Sequence, residues 1–171
     1  MKKRYFIIQC IALLSISVAN AGVQQWQIED GATYQCINDD DKSLVDHYIF
    51  ENNLWRIDGS DNYCAWSGEH QTKVSCKLSA TQAVRNTYGQ KWVTGDGNAI
   101  GFTNTITSFY YDQQVKTFRV TENIQTMNGS YQEQQEFIST CKKIVEGKGT
   151  PITTQNIEDS GAIAEATLIL K

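Results

Sequence analysis

The sequence predicts an all-β domain: a small antiparallel meander forming a closed or partly open barrel of lipocalin-like size, with a two-sheet sandwich as the alternative. Three observations carry the prediction. Stretches rich in Thr, Tyr, Val, Ile, Phe and Trp are broken at short intervals by Asn, Asp, Gly and Ser. The chain has one proline, Pro151, and little helical periodicity. Where a turn can be placed, the residues on either side of it sort into an apolar and a polar face, as paired strands require.

The N-terminus stands apart from this pattern. Lys2, Lys3 and Arg4 precede an apolar run from Tyr5 to Val18, and Ala19-Asn20-Ala21 has the small-x-small pattern of a signal-peptidase site. The run is about 14 residues, short of the ~20 that cross a bilayer core. The expectation is a secretory signal peptide over 1–21, cleaved before Gly22, and Sec-type bacterial export to the periplasm or the medium. Its loss removes Cys10 and three positive charges. Of 15 Lys and Arg, 12 then face 19 Asp and Glu, a formal charge of −7. That balance argues against nucleic acid, whose phosphates reward basic patches, and is compatible with a basic protein partner. About 150 residues remain, enough for one domain with a real core.

Along the mature chain, residues 23–29 and 32–38 read as strands around Asp30-Gly31. Residues 46–51 and 54–58 flank Asn52-Asn53, and a two-residue turn there pairs Phe50 with Trp55 and Tyr48 with Ile57 on one face. Residues 62–67 and 72–78 flank Ser67-Gly68. Ser79 to Arg85 reads as a helical turn with Ser79 as N-cap. Lys91 to Thr94 reads as a short strand before the loop 95–98. Strands at 102–111, 116–126 and 131–144 form a meander. A Gln113-Gln114 loop sets Phe109 opposite Phe118, and an Asn128-Gly129 turn sets Val120 opposite Phe137. Gly147 to Pro151 marks the end of the domain expected over 22–146. Residues 147–171 read as a partly flexible C-terminal extension, polar up to an apolar segment at 162–170.

Four cysteines stay after cleavage, an even number suited to two bridges in an oxidising compartment. Cys64 and Cys76 lie almost symmetrically across the Ser67–Thr72 bend. Cys36 sits in an early strand and Cys141 in the last long one, which a barrel brings together. The expected pairs are Cys64–Cys76 and Cys36–Cys141. No C-x₂-C pair marks a zinc site.

Catalytic signals are weak. No G-x-S-x-G is present. His47 falls opposite Asp58 with Ser60 nearby, which reads as an exposed contact of little worth. Asp39-Asp40-Asp41 with Ser43, and Asp58, Ser60, Asn62 and Glu69, echo calcium loops but lack the glycine at loop position six. Both read as solvated turns. Glu122 and Glu133 fall on the inner face of the last hairpin, and a diagonal approach would make them a candidate acid/base pair for a glycan hydrolase.

Neither a cofactor nor a metal is expected. The candidate binding surface consists of Asp39, Asp40, Asp41, Trp66, Glu69, His70 and Trp92, acidic and aromatic residues near turns. Architecture and compartment resemble, in general terms, the small periplasmic lysozyme inhibitors, acidic β-barrels that insert a loop into a basic muramidase. Their Ser-Gly-x-x-Tyr loop has no counterpart, since Ser67-Gly68 is followed by Glu69-His70-Gln71, and no residue is carried over. The expected function is a non-enzymatic binding protein, of an inhibitor or immunity type. A barrel carrier of a small apolar ligand, or a hydrolase using Glu133, stands behind it.

Overall fold

The computed structural model describes residues 22–52, 54–65, 73–93, 99–128 and 131–157. The signal-peptide segment, the Ser67-Gly68 turn, the 95–98 loop and the 162–170 segment lie outside them. Among the described residues there is no helix, and none is therefore long and apolar enough to cross a membrane. The strands are β1 (Thr33–Asn38), β2 (Val45–Glu51), β3 (Leu54–Ile57), β4 (Lys73–Ser79) and β5 (Gln82–Val93). β6 (Ala99–Asp112), β7 (Thr117–Asn128), β8 (Tyr131–Val145) and β9 (Gln155–Ile157) complete them. They form one antiparallel sheet in the order β3-β2-β1-β8-β7-β6-β5-β4-β9, curled into a half-barrel. The early strands join the late ones through β1 and β8, and the last strand, β9, closes the far edge against β4.

Strict alternation builds the core. On β1, Tyr34, Cys36 and Asn38 are buried while their neighbours are half-exposed. The same parity runs through Tyr48 and Phe50 on β2, Phe118 and Val120 on β7, Phe109 on β6 and Leu78 on β4. Rings meet on the concave face: Tyr34 is 5.0 Å from Phe109 and 4.9 Å from Phe118, and Phe50 is 6.0 Å from Trp55. Further along β5–β7 the inner face turns polar, with buried Thr87, Thr103, Thr107 and Thr126.

Both predicted disulfides are present. Cys36 and Cys141 are register partners on β1 and β8. Cys64–Cys76 ties the segment after β3, at one edge, to β4, near the other. Around it Tyr63 packs edge-on against Trp55 at 5.0 Å, lies under the Arg85 guanidinium at 4.2 Å and reaches Thr107 with its hydroxyl at 3.3 Å. This seam holds the half-barrel curled.

The first hairpin has the expected register, Phe50 opposite Trp55 and Tyr48 opposite Ile57, with Asn52 at φ 54° in its turn. Six local expectations differ. The β6–β7 turn takes four residues, 113–116, so Phe109 faces Val120, not Phe118. At the β7–β8 turn Asn128 pairs with Tyr131, so Val120 faces Ser139, not Phe137. Each slip is two residues, and a period-two pattern survives it with every face unchanged. Ser79 to Arg85 is no helical turn: Ala80-Thr81 closes a β4–β5 hairpin. The Gln82 amide donates to Ser79 Oγ at 3.1 Å, the hydrogen bond of an N-cap serving a β-turn. Residues 62–65 form turns rather than a strand, and 23–29 contribute an isolated bridge, Glu29 to Pro151. Lys91 to Val93 belong to the long β5.

Residues beyond 146 take part in the fold. Ile152 is buried against the core and β9 pairs with β4. Glu29 anchors this segment, accepting from Lys143 Nζ at 2.8 Å and from the Gly149 amide at 2.7 Å. Gly147 is needed here: a Cβ would lie 2.4 Å from the Asp30 carbonyl oxygen.

Candidate functional site

A cleft of about 180 Å³ opens on the concave face where β2 and β7 approach. Its geometry starts in the β1–β2 reversal. Asn38 Oδ1 accepts from the amides of Asp40 and Asp41 at 2.9 and 2.8 Å, and Asp41 Oδ1 accepts from the Ser43 amide and hydroxyl. These Asx turns deliver Leu44 to the lip, 53% exposed, and start β2 so that Asp46 stands on the inner face opposite Cys36. On β7, Glu122 occupies the same face, opposite Thr107 on β6 and Phe137 on β8. Tyr48 and Val120 form the apolar floor and Phe137 the second lip.

Two carboxyl groups thus share a partly apolar cleft. Burial pushes the Asp46 carboxyl up, reinforced by the charge of Asp58 and a hydrogen bond between the two acids. Burial also raises Glu122, the Asp46 charge adds to it, and Arg85 pulls the other way. Tyr48 keeps its proton to well above its ordinary range, chiefly through burial and then through Tyr63 and the neighbouring acids. At the edge, His47 Nδ1 lies 2.8 Å from Asp58 Oδ1, whose oxygen also accepts from the His47 amide at 3.0 Å. Both side chains are more than a third exposed, so the pair adds little stability.

The raised carboxyls make stability depend on pH. The folded-state pKa values of Asp46 and Glu122 lie above their unfolded values, so their contribution is fully present below about pH 4 and is lost as pH rises through the raised values. Glu122→Gln should therefore stabilise the protein at pH 7 relative to wild type and have little effect at pH 4. Urea midpoints at the two pH values check this; a destabilisation at pH 7 contradicts it.

The structure divides the candidate surface. Asp39 is committed within the fold: it accepts from Arg119 and, at 2.8 Å, from the Thr140 hydroxyl. These partners, with Lys42, hold its carboxyl below the usual range against the opposing effect of burial. Asp40 and Asp41 are exposed on the loop that leads to the cleft's Leu44 lip. Trp66, Glu69 and His70 lie outside the described residues, and Trp92 is described by its backbone alone, on β5 opposite Gly101. A nucleophilic site at Ser60 is not assembled: its hydroxyl accepts from the Ile57 amide and donates to the Asp61 carbonyl.

The Glu122–Glu133 pairing does not form either. Glu133 faces Thr126, four residues along β7 from Glu122, about 13 Å away, and accepts from Gln135. The partner that Glu122 does find is Asp46. Asp46 is not among the residues singled out in the sequence, although its parity with Tyr48 and Phe50 is a signal that it faces inward; that it meets Glu122 depends on β1 inserting beside β8. Among the described residues no group of three or more His, Cys, Asp or Glu is arranged to hold a metal ion.

No family model, no curated protein and no solved structure matches this chain, and the reading of the cleft rests on its own residues.

Proposed function

We propose that this is a non-enzymatic binding protein, periplasmic or secreted, of an inhibitor or immunity type, which accepts a cationic side chain of a basic protein partner in the concave cleft. The observation that carries this reading is the pairing of Asp46 and Glu122 between the apolar lips Leu44 and Phe137. Half-buried Glu122 and exposed Asp46 repel one another, and an incoming cation relieves that repulsion while the lips cover it. The acidic chain left after leader removal steers such a partner, and two disulfides suit an oxidising compartment. Carriage of an apolar ligand is less favoured, because Tyr34, Phe50, Trp55 and Phe109 fill the concave face.

The test is affinity capture from envelope and host extracts on the disulfide-bonded mature domain, followed by titration of the purified partner. A basic protein should be retained at low salt and released as salt rises. The double variant Asp46→Asn/Glu122→Gln should weaken its affinity by on the order of tenfold or more. A partner whose affinity ignores both salt and the double variant would refute the cleft as the site. Glycan turnover by the wild type, lost in Glu122→Gln, would place the cleft among hydrolases instead.

A further inference from the structure

The convex face of the sheet is polar over most of β5–β8, but one strip on it is not. Tyr88 on β5 and Phe102 and Ile106 on β6 point outward and are 47%, 42% and 44% exposed. Asn104 lies between the two β6 residues, its Oδ1 held by the Gly89 amide at 2.9 Å. A shallow groove of about 240 Å³ runs from Tyr88 past Ile106 to Asn123 on β7 and Gln134 on β8. An outward aromatic and aliphatic cluster on the middle strands of a sheet is the kind of patch that a soluble domain covers.

The chain itself supplies a cover. β9 runs antiparallel to β4, from Gln155 opposite Leu78 to Ile157 opposite Cys76, so its direction points along β4 toward Lys73. Lys73 is the register partner of Tyr88. The described chain therefore ends two strand spacings from Tyr88 on β5, with β4 between them. Past Ile157 the sequence runs through a polar spacer, Glu158-Asp159-Ser160-Gly161, into Ala-Ile-Ala-Glu-Ala-Thr-Leu-Ile-Leu over 162–170, which carries a single charge. Four extended residues reach about 13 Å, and β6 lies three strand spacings from β9, about 14 Å. The nine residues beyond span up to about 30 Å, enough to cross the groove to β7.

We propose that residues 162–170 fold back over the convex face of their own chain and cover Tyr88, Phe102 and Ile106. Glycine at 161 permits the reversal from the sheet edge onto the face. The apolar composition of the segment matches the strip, and the Asn and Gln side chains that rim the groove match its exposed backbone.

Photo-crosslinking tests this in the disulfide-bonded mature chain. With benzoylphenylalanine in place of Leu168, irradiation and peptide mapping should give links within one chain to peptides of β5 and β6. Links only between chains would make a second copy the occupant and overturn the proposal, as would links confined to other faces or none at all. A second variant guards against a misplaced probe. Ile106→Lys in the crosslinking chain should cut the intramolecular yield on the order of tenfold while the far-ultraviolet dichroism and disulfide pairing stay unchanged. An unchanged yield would equally overturn it.

Discussion

Replacing Cys36 and Cys141 together by alanine should lower stability by about 4 kcal/mol, a fall in Tm on the order of 10 °C for a chain of this size. The two cysteines are 105 residues apart in sequence, so the bridge closes most of the domain into one loop. In the folded state it adds little geometry of its own, because β1 and β8 are already hydrogen-bonded neighbours from Thr33–Val145 to Asn38–Ser139. Its effect lies in the unfolded chain, whose freedom it removes. The Cys64–Cys76 bridge spans only 12 residues and should cost less in the same experiment, about 3 kcal/mol. It nevertheless joins elements that share no strand pairing. Cys64→Ala/Cys76→Ala should therefore loosen amide-exchange protection around Tyr63 and Trp55 selectively, whereas loss of the longer bridge should lower protection globally. Thermal and urea denaturation of the two double variants, with exchange mass spectrometry, separate the cases. Equal local loosening in both would contradict the division of roles.

Phe109→Ala should cost about 4 kcal/mol, the upper part of the range for a buried aromatic. Phe109 is fully buried on β6, and its ring centroid lies 4.9 Å from Phe50, 5.0 Å from Tyr34, 5.2 Å from Phe118 and 5.8 Å from Tyr48. These rings come from β1, β2, β6 and β7, strands drawn from both ends of the chain. Truncation opens a void that strands held by disulfides and long ladders cannot collapse to fill, and it removes four ring contacts at once. Phe109→Leu refills most of the volume and should cost about 1–2 kcal/mol. The measurement is the urea midpoint with an unchanged slope. A loss below about 1 kcal/mol for the alanine variant would mean that the concave face relaxes around the gap and is not a packed core.

The inner carboxyls stand in contrast to this core. Asp46 and Glu122 share the face with Tyr48 and Val120, Asp46 exposed and Glu122 half-buried, and the withdrawal of Glu122 from water costs stability at neutral pH, as the Glu122→Gln comparison is designed to read. Costs of this kind concentrate where a surface serves a ligand rather than the fold.

The sequence by itself determined which residues face inward. Alternation has a period of two, so Tyr34, Tyr48, Phe50, Phe109, Phe118 and Val120 keep their side of the sheet even where the register slips by two residues, as between β6 and β7 and between β7 and β8. It also determined the disulfide pairs, because Cys36 and Cys141 on an early and a late strand, and Cys64 and Cys76 only 12 residues apart, leave few ways to close a curled sheet. The tertiary structure alone decided three things. It set the register of the long hairpins, which depends on which turn residues the backbone uses and not on the face pattern. It turned Ser79 from a helix cap into a hairpin latch, since the same hydroxyl-to-amide bond serves both and only the neighbouring strands choose. It also brought Asp46 to Glu122: the two are 76 positions apart in sequence, and they meet because β1 pairs with β8, a long-range choice that no local pattern encodes.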